Sequence, residues 1–109
     1  MSTISRREKI EAMLAQDPRD TMLRYMLAME LDKEGQHALS LEYLGGLMQD
    51  QPPHVPSFFR SAQQLQRLGR IEEARSVLRV GIEEARRQRD LHAAGEMGEL
   101  LANLGDVAF

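Results

Sequence analysis

The 109-residue sequence contains no cysteine, which excludes disulfide bonds and thiolate chemistry. It has no stretch that approaches the roughly 18 consecutive apolar residues of a membrane-spanning helix. Its first residues also lack an apolar segment of secretory length. From these absences we expect no insertion into a membrane and a cytoplasmic location.

Positive charge and aromatic side chains are both scarce. The 14 lysines and arginines are outnumbered by 17 aspartates and glutamates, which gives a formal net charge of −3. A chain with this balance has no overall attraction to nucleic acid or to anionic lipid. Only 5% of the residues are aromatic, so the arginines have no platform beside them on which bases could stack. The composition therefore disfavours nucleic acid and membrane surfaces as partners.

No combination of residues carries a recognisable catalytic or metal-binding chemistry. The histidines His37, His54 and His92 lie too far apart to form a paired i, i+4 ligand set, and we expect them on the surface. The acidic run at positions 30, 32 and 34 lacks the spacing of a calcium loop and is expected to be solvated. A glycine-rich phosphate loop and a nucleophile elbow are also missing. The sequence thus predicts a protein that is not an enzyme and uses no cofactor or metal.

The sequence does contain a repeat. Pro18 and Pro52 lie 34 positions apart, and so do Gly35 and Gly69. The same offset relates further pairs of chemically similar residues: Ala28 with Ala62, Leu31 with Leu65, Lys33 with Arg67, Ser40 with Ala74, and Leu44 with Leu78. A period near 34 is typical of a helix-turn-helix solenoid unit. Such units stack into a surface that can hold another protein.

Caps, stops and apolar spacing predict six helices, at about residues 4–16, 20–35, 36–51, 56–69, 71–88 and 90–104. Capping residues precede three of them, and glycine stops follow three: Ser5 with Glu8, Asp20 and Asp90 in the first group, Gly35, Gly69 and Gly105 in the second. No alternating strand pattern occurs. The predicted fold is therefore all-α, an α-α superhelix of about six antiparallel helices in one domain.

Two pairs of glycines within predicted helices conflict with helix propensity, since each glycine costs roughly 1 kcal/mol relative to alanine. At Gly45 and Gly46 we expect close packing against a neighbouring helix as compensation, with a hinge or bend as the alternative. Gly95 and Gly98 weaken the last helix, which predicts that it is mobile or settles only when it docks.

The two central units, residues 21–54 and 55–88, resemble tetratricopeptide repeats. As in that family, small residues stand near the eighth and twentieth positions of each unit, and large apolar residues near the eleventh and twenty-fourth: Ala28, Ser40, Leu31 and Leu44, then Ala62, Ala74, Leu65 and Leu78. Pro52 matches the common closing proline, whereas Arg86 does not. At the fourth position, usually aromatic, the units have Arg24, which departs from the pattern, and Phe58.

The ends of the chain fit the same scheme. Residues 4–18 resemble the second helix of a preceding half-unit, and residues 90–104 look like a terminal helix that covers the open end. The resemblance implies a solenoid in which small residues let the helices approach closely while leucines fill the layers between units.

The resemblance also implies that a protein or peptide partner binds on the concave surface, which the first helix of each unit lines. The side chains expected there are Met22, Tyr25, Met29, Asp32, Phe59, Gln63 and Gln66. Tyr25, Met29 and Phe59 would be apolar anchors, and the amides with Asp32 would orient the partner. Some family members grip a terminal carboxylate with lysine and asparagine, but here Tyr25, Met29 and Arg60 occupy those positions. A carboxylate clamp of that type is therefore not expected.

Three alternatives stay open at this point. The apolar residues could belong to a core that the last helix covers, or they could form a homodimer interface. The arginines at positions 67, 70, 75, 79 and 86 could dock a phosphate, an acidic peptide or nucleic acid. Glutamates are interleaved with them, however, as in the pair Glu83 and Arg87, and this pattern favours a solvated face of local ion pairs.

Overall fold

The computed structural model describes residues 3–104, and the helices in this part of the chain are α1 Arg6–Gln16, α2 Thr21–Lys33, α3 His37–Met48, α4 Val55–Arg67, α5 Ile71–Arg87 and α6 Leu91–Asn103. Each helix packs against the next one along the chain, and α6 also touches α4. The molecule is elongated, with extents of 56 × 31 × 18 Å. The predicted all-α helical-repeat fold is confirmed. The predicted stop at Gly105 lies outside the described residues.

The helix starts follow the predicted capping residues. The backbone N–H of Glu8 donates to Ser5 Oγ at 3.1 Å, and the N–H of Ser5 donates to Glu8 Oε1 at 2.9 Å. This is the expected capping box. Asp20 and Asp90 accept hydrogen bonds from the backbone amide of the third residue of α2 and of α6, at 2.8 and 3.1 Å.

Left-handed residues end three of the helices, and two of them were predicted. Gly35 and Gly69 have φ of 81° and 77°, as expected for glycine stops after α2 and α4. Arg89, between α5 and α6, has φ of 63°, which the sequence did not indicate. Helix α3 ends at Met48, three residues before the predicted Gln51.

The buried side chains form layers between successive helices. Leucines and an isoleucine of α1 and α2 make the first layer, and a second lies between α2 and α3: Ile10, Leu14, Leu27 and Leu31, then Ala28, Leu44 and Leu47. The largest layer joins α4, α5 and α6: Val55, Phe58, Ala62, Leu65, Ala74, Leu78, Ala85, Ala94, Met97 and Leu104. Helices α1 and α6 therefore complete the core at the two ends of the stack.

The close helix packing that was expected at Gly45 and Gly46 occurs at another glycine. A Cβ atom on Gly81 would lie 2.6 Å from Phe58 Cβ and 2.7 Å from Met97 Sδ. A Cβ atom on Gly45 would meet nothing within 4 Å, and one on Gly46 would make only ordinary contact. The packing prediction for the pair was therefore wrong, and α5 needs its glycine where it crosses both α4 and α6.

Candidate functional site on the concave face

The candidate site is built on α2 and α4, the first helices of the two central units. Helix α3 packs antiparallel between them, so α2 and α4 run in the same direction. Near the ends of the two helices, Arg67 Nη2 donates to Asp32 Oδ2 at 2.8 Å. Near their beginnings, the rings of Tyr25 and His54 meet edge to face with centroids 5.0 Å apart. These two contacts fix how the two helices lie side by side.

All seven residues predicted for the concave surface keep some exposure to solvent. Met22 is 60% exposed and Gln66 is also exposed. The other five are half-buried: Tyr25, Met29, Asp32, Phe59 and Gln63. Helix α6 packs mainly against α5 and leaves each of the seven at least partly accessible.

The structure brings the polar members of the set together. Asp32, Gln63 and Gln66 line a depression of about 370 Å³ together with Arg60 and Arg67. This volume is at the small end of the range for ligand-binding clefts.

The aromatic members lie outside the lining of that depression and pack partly inward. Tyr25 contacts the buried layer between α2 and α3, and Phe59 contacts the layer that joins α4, α5 and α6. Each ring therefore offers only part of its surface to a partner.

Asp32 accepts hydrogen bonds that the sequence does not indicate. Its two carboxylate oxygens accept hydrogen bonds from His37 Nδ1 at 2.7 Å and from Arg67 at 2.8 Å. Burial by itself would raise the pKa of Asp32, but the hydrogen bonds from Arg67 and His37 outweigh it and hold the pKa below its ordinary value. Asp32 is thus a charged link between the units.

Arg60 is a member of the site that sequence reasoning did not select. It lies on α4 one turn before Gln63, and its Nε atom is buried with no hydrogen-bond partner in the described part of the chain. The sequence places Arg60 on the concave side, but its lack of an ion pair becomes evident only from the packing of the other helices.

The departure from the family pattern at Arg24 has a structural explanation. Arg24 donates two hydrogen bonds to Asp50, at 2.8 and 3.2 Å, and so ties α2 to the loop before α4. These hydrogen bonds hold the pKa of Asp50 below its ordinary value. The guanidinium also lies beside Gly46, where a side chain would contact it.

The histidines do not all lie on the surface as expected. His92 is exposed, but His37 and His54 are half-buried and hydrogen-bonded. Nδ1 of His54 lies 2.7 Å from Ser57 Oγ at the start of α4. Burial lowers the pKa of His54, since the charged form would lose its water.

Most of the charged residues considered in the sequence analysis form ion pairs. Arg70 pairs with Glu73 at 2.7 Å and Arg75 pairs with Glu72. The predicted pair of Glu83 with Arg87 is present at 3.7 Å.

The acidic run of α2 is paired as well, so the expectation that it is merely solvated was wrong. Glu30 accepts from Arg6 at 3.0 Å and from Lys33 at 3.2 Å, and Glu34 accepts from Arg7 at 2.8 Å. Two of these pairs join α1 to α2.

Residues 3–104 contain neither a metal-ligand cluster nor a membrane-spanning helix. No group of three or more histidines and carboxylates there is arranged to hold a metal ion. No helix in that part of the chain is both long and apolar enough to cross a membrane.

Comparison with known proteins agrees with this architecture. One solution structure, described as a tetratricopeptide repeat domain protein from Salinibacter ruber, superposes with a TM-score of 0.77 at 24% sequence identity, over 84% of this chain and 92% of the other. The chain therefore has the tetratricopeptide-repeat fold. This chain is also similar to the solution structure of a protein from Bordetella parapertussis, with a TM-score of 0.77 and 26% identity over 95% of this chain and 89% of the other. No family model and no curated protein matches the sequence.

Proposed function

We propose that this protein is a non-catalytic interaction module, an adaptor or scaffold, which binds a peptide or protein segment across the concave face of α2 and α4. The observation that carries the proposal is the mixed character of this face. Tyr25, Met29 and Phe59 keep part of their apolar surface accessible, and the amides of Gln63 and Gln66 line a small depression on the same side.

The chemistry of these groups suits a protein segment. Methionine adapts its shape to an apolar side chain, and aromatic rings supply rigid contact area. The glutamine amides can donate to and accept from the backbone of an extended segment. The tetratricopeptide-repeat fold supports a role as an interaction module, because proteins with this fold commonly hold other proteins.

Two further parts of the proposal rest on the sequence. We take residues 21–54 and 55–88 as the two repeats, 4–18 as the preceding half-unit and 90–104 as the capping helix. We also take the protein to work in the cytoplasm.

Self-association is the second candidate function, and the exposure of Met22 favours it. A methionine that is 60% exposed at the start of α2 is a contact that a second copy of the chain could cover. In that case the same face would be used up in a homodimer.

The test compares two sets of exposed apolar residues on different faces. Met22→Glu/Met29→Glu places charge on the concave face, and Val80→Glu places it on α5, where Val80 is 59% exposed. Proteins captured from a lysate of the source organism are identified by mass spectrometry for the native chain and both variants. We expect one or more proteins to be captured by the native chain and by Val80→Glu and lost with the concave-face variant.

Light scattering across a range of concentrations decides between the two candidates. Native chain that stays monomeric supports the adaptor. Dimers that dissociate in the concave-face variant but not in Val80→Glu would support self-association. Equal capture by all three chains would reject the concave face as the binding site.

A further inference from the structure

One cation on α2 and α4 has no counter-charge in the part of the chain that the structure describes. Helices α2 and α4 carry four lysine or arginine side chains, of which three are paired: Arg24 with Asp50, Lys33 with Glu30, and Arg67 with Asp32. The fourth, Arg60, has no ion pair within residues 3–104, and its Nε–H is buried without an acceptor. A buried donor left unsatisfied costs about 1–3 kcal/mol, and more when it is charged.

Within residues 3–104, no carboxylate that lines the depression lacks a partner of its own. Asp32 lines the same depression as Arg60, but one of its oxygens accepts from His37 and the other from Arg67. The remaining lining residues, Gln63 and Gln66, are neutral. Arg60 therefore has no counter-charge among residues 3–104, and a bound molecule can supply one.

The number of free charges identifies the kind of acceptor. A phosphate carries up to two negative charges and is commonly held by several cations, whereas this depression holds one free guanidinium beside an arginine that is already paired. The planar guanidinium matches a carboxylate, which it can bind with two parallel hydrogen bonds. Nucleic acid is disfavoured further by the net charge of −3.

We propose that the segment bound on the concave face carries an aspartate or glutamate side chain that pairs with Arg60, while Gln63 and Gln66 hydrogen-bond the backbone beside it. This inference rests on the proposed function and adds the chemistry of the partner. It predicts that the protein selects segments in which an acidic residue lies at a fixed number of positions from an apolar residue.

The test is a selection from a library of random peptides that are displayed between two flanking segments, so that no peptide ends in a free carboxylate. Native chain, Arg60→Gln, Met29→Glu and Arg86→Gln are used as targets. Arg86 is an exposed arginine on α5 and serves as the matched control. Circular dichroism and urea unfolding establish that each target is folded, and Arg60→Met, which keeps an unbranched stem but removes the charge and the buried donor, replaces Arg60→Gln if that variant unfolds.

We expect native chain and Arg86→Gln to select peptides with an acidic residue at a fixed position, and Arg60→Gln to lose this preference while it keeps the apolar one. In a synthetic copy of a selected peptide, replacing the acidic residue by its amide should weaken binding to native chain about tenfold or more. The same replacement should change binding to Arg60→Gln little.

The remaining outcomes contradict one proposal or both. Equal acidic preference in the native and Arg60→Gln selections, or none in either, would overturn the role of Arg60 and leave the interaction module standing. Enrichment of phosphate-mimicking clusters of several acids, insensitive to Arg60→Gln, would also overturn it. Native chain that selects no peptide sensitive to Met29→Glu would overturn the proposed function itself, and this inference with it.

Discussion

A single glycine decides how closely α5 can approach its neighbours. Gly81 is buried at the point where α5 crosses α4 and α6, with Phe58 on one side and Met97 on the other. Glycine lowers the stability of a helix relative to alanine, but at this position any side chain would clash with Phe58 and Met97. The two effects can be separated because Gly45, on α3, faces open space.

We predict that Gly81→Ala lowers the free energy of unfolding by about 1–3 kcal/mol, because the added methyl group overpacks the contact with Phe58 and Met97. Gly45→Ala is the matched control and should raise it by up to about 1 kcal/mol, because alanine is the better helix former and meets no neighbour. Urea unfolding followed by circular dichroism measures both. A Gly81→Ala variant as stable as native chain would show that the helices can separate at no cost.

At the scale of the element, a buried chain of hydrogen bonds joins three helices. Ser40 Oγ on α3 donates to the backbone carbonyl of Ala28 on α2 at 2.6 Å, and Gln64 Nε2 on α4 donates to Ser40 Oγ at 3.0 Å. Ser40 and Gln64 are 0% and 1% exposed. The small residue expected at position 40 therefore has a second role, since it supplies the acceptor for a buried amide.

We predict that Ser40→Ala costs about 1–3 kcal/mol of stability, because it leaves the Gln64 amide buried without a partner. Gln64→Leu should remove most of this cost, since two apolar side chains leave nothing unsatisfied. The free energies of unfolding of native chain, both single variants and the double variant form a cycle that measures the coupling. An equal cost of Ser40→Ala with and without Gln64→Leu would mean that the two side chains do not depend on each other.

At the scale of the whole molecule, the sequence predicts the architecture well because its signals are local. The capping box at Ser5, the stops at Gly35 and Gly69 and the spacing of the leucines all act within a few residues, and the 34-residue period joins them. The contact at Gly81 depends on two other helices, so no local pattern could indicate it. Contacts between helices also determine the candidate site on the concave face.

The parts of the concave face that depend on pairing could not be predicted. Met22 and Gln66 are exposed as expected for a surface. The ion pair of Asp32 requires Arg67, which is 35 positions away in the sequence. Arg60 has no comparable ion pair within residues 3–104. Whether a charge is satisfied is a property of the packed molecule, since it depends on which side chains from other elements reach it.

The ion pair of Asp32 with Arg67 links the two repeats, so it should make the stability of the whole molecule depend on pH. The pKa of Asp32 is lowered in the folded protein. Its contribution is therefore fully present above the unfolded value of about 3.9 and is lost as the pH falls through the lower folded value. At neutral pH, Asp32→Asn should cost about 1.5–3 kcal/mol, the usual range for a hydrogen bond to a charged group.

We expect the difference in urea midpoint between native chain and Asp32→Asn to be largest at neutral pH and to shrink below about pH 4, because the protonated aspartic acid then resembles asparagine. Glu99→Gln, which changes an exposed carboxylate on α6, should alter the midpoint little at neutral pH. A difference between native chain and Asp32→Asn that stayed constant down to pH 2 would show that the side chain's shape, and not its charge, joins the repeats. The charge of Asp32 would then not be what holds α2 and α4 together at Arg67.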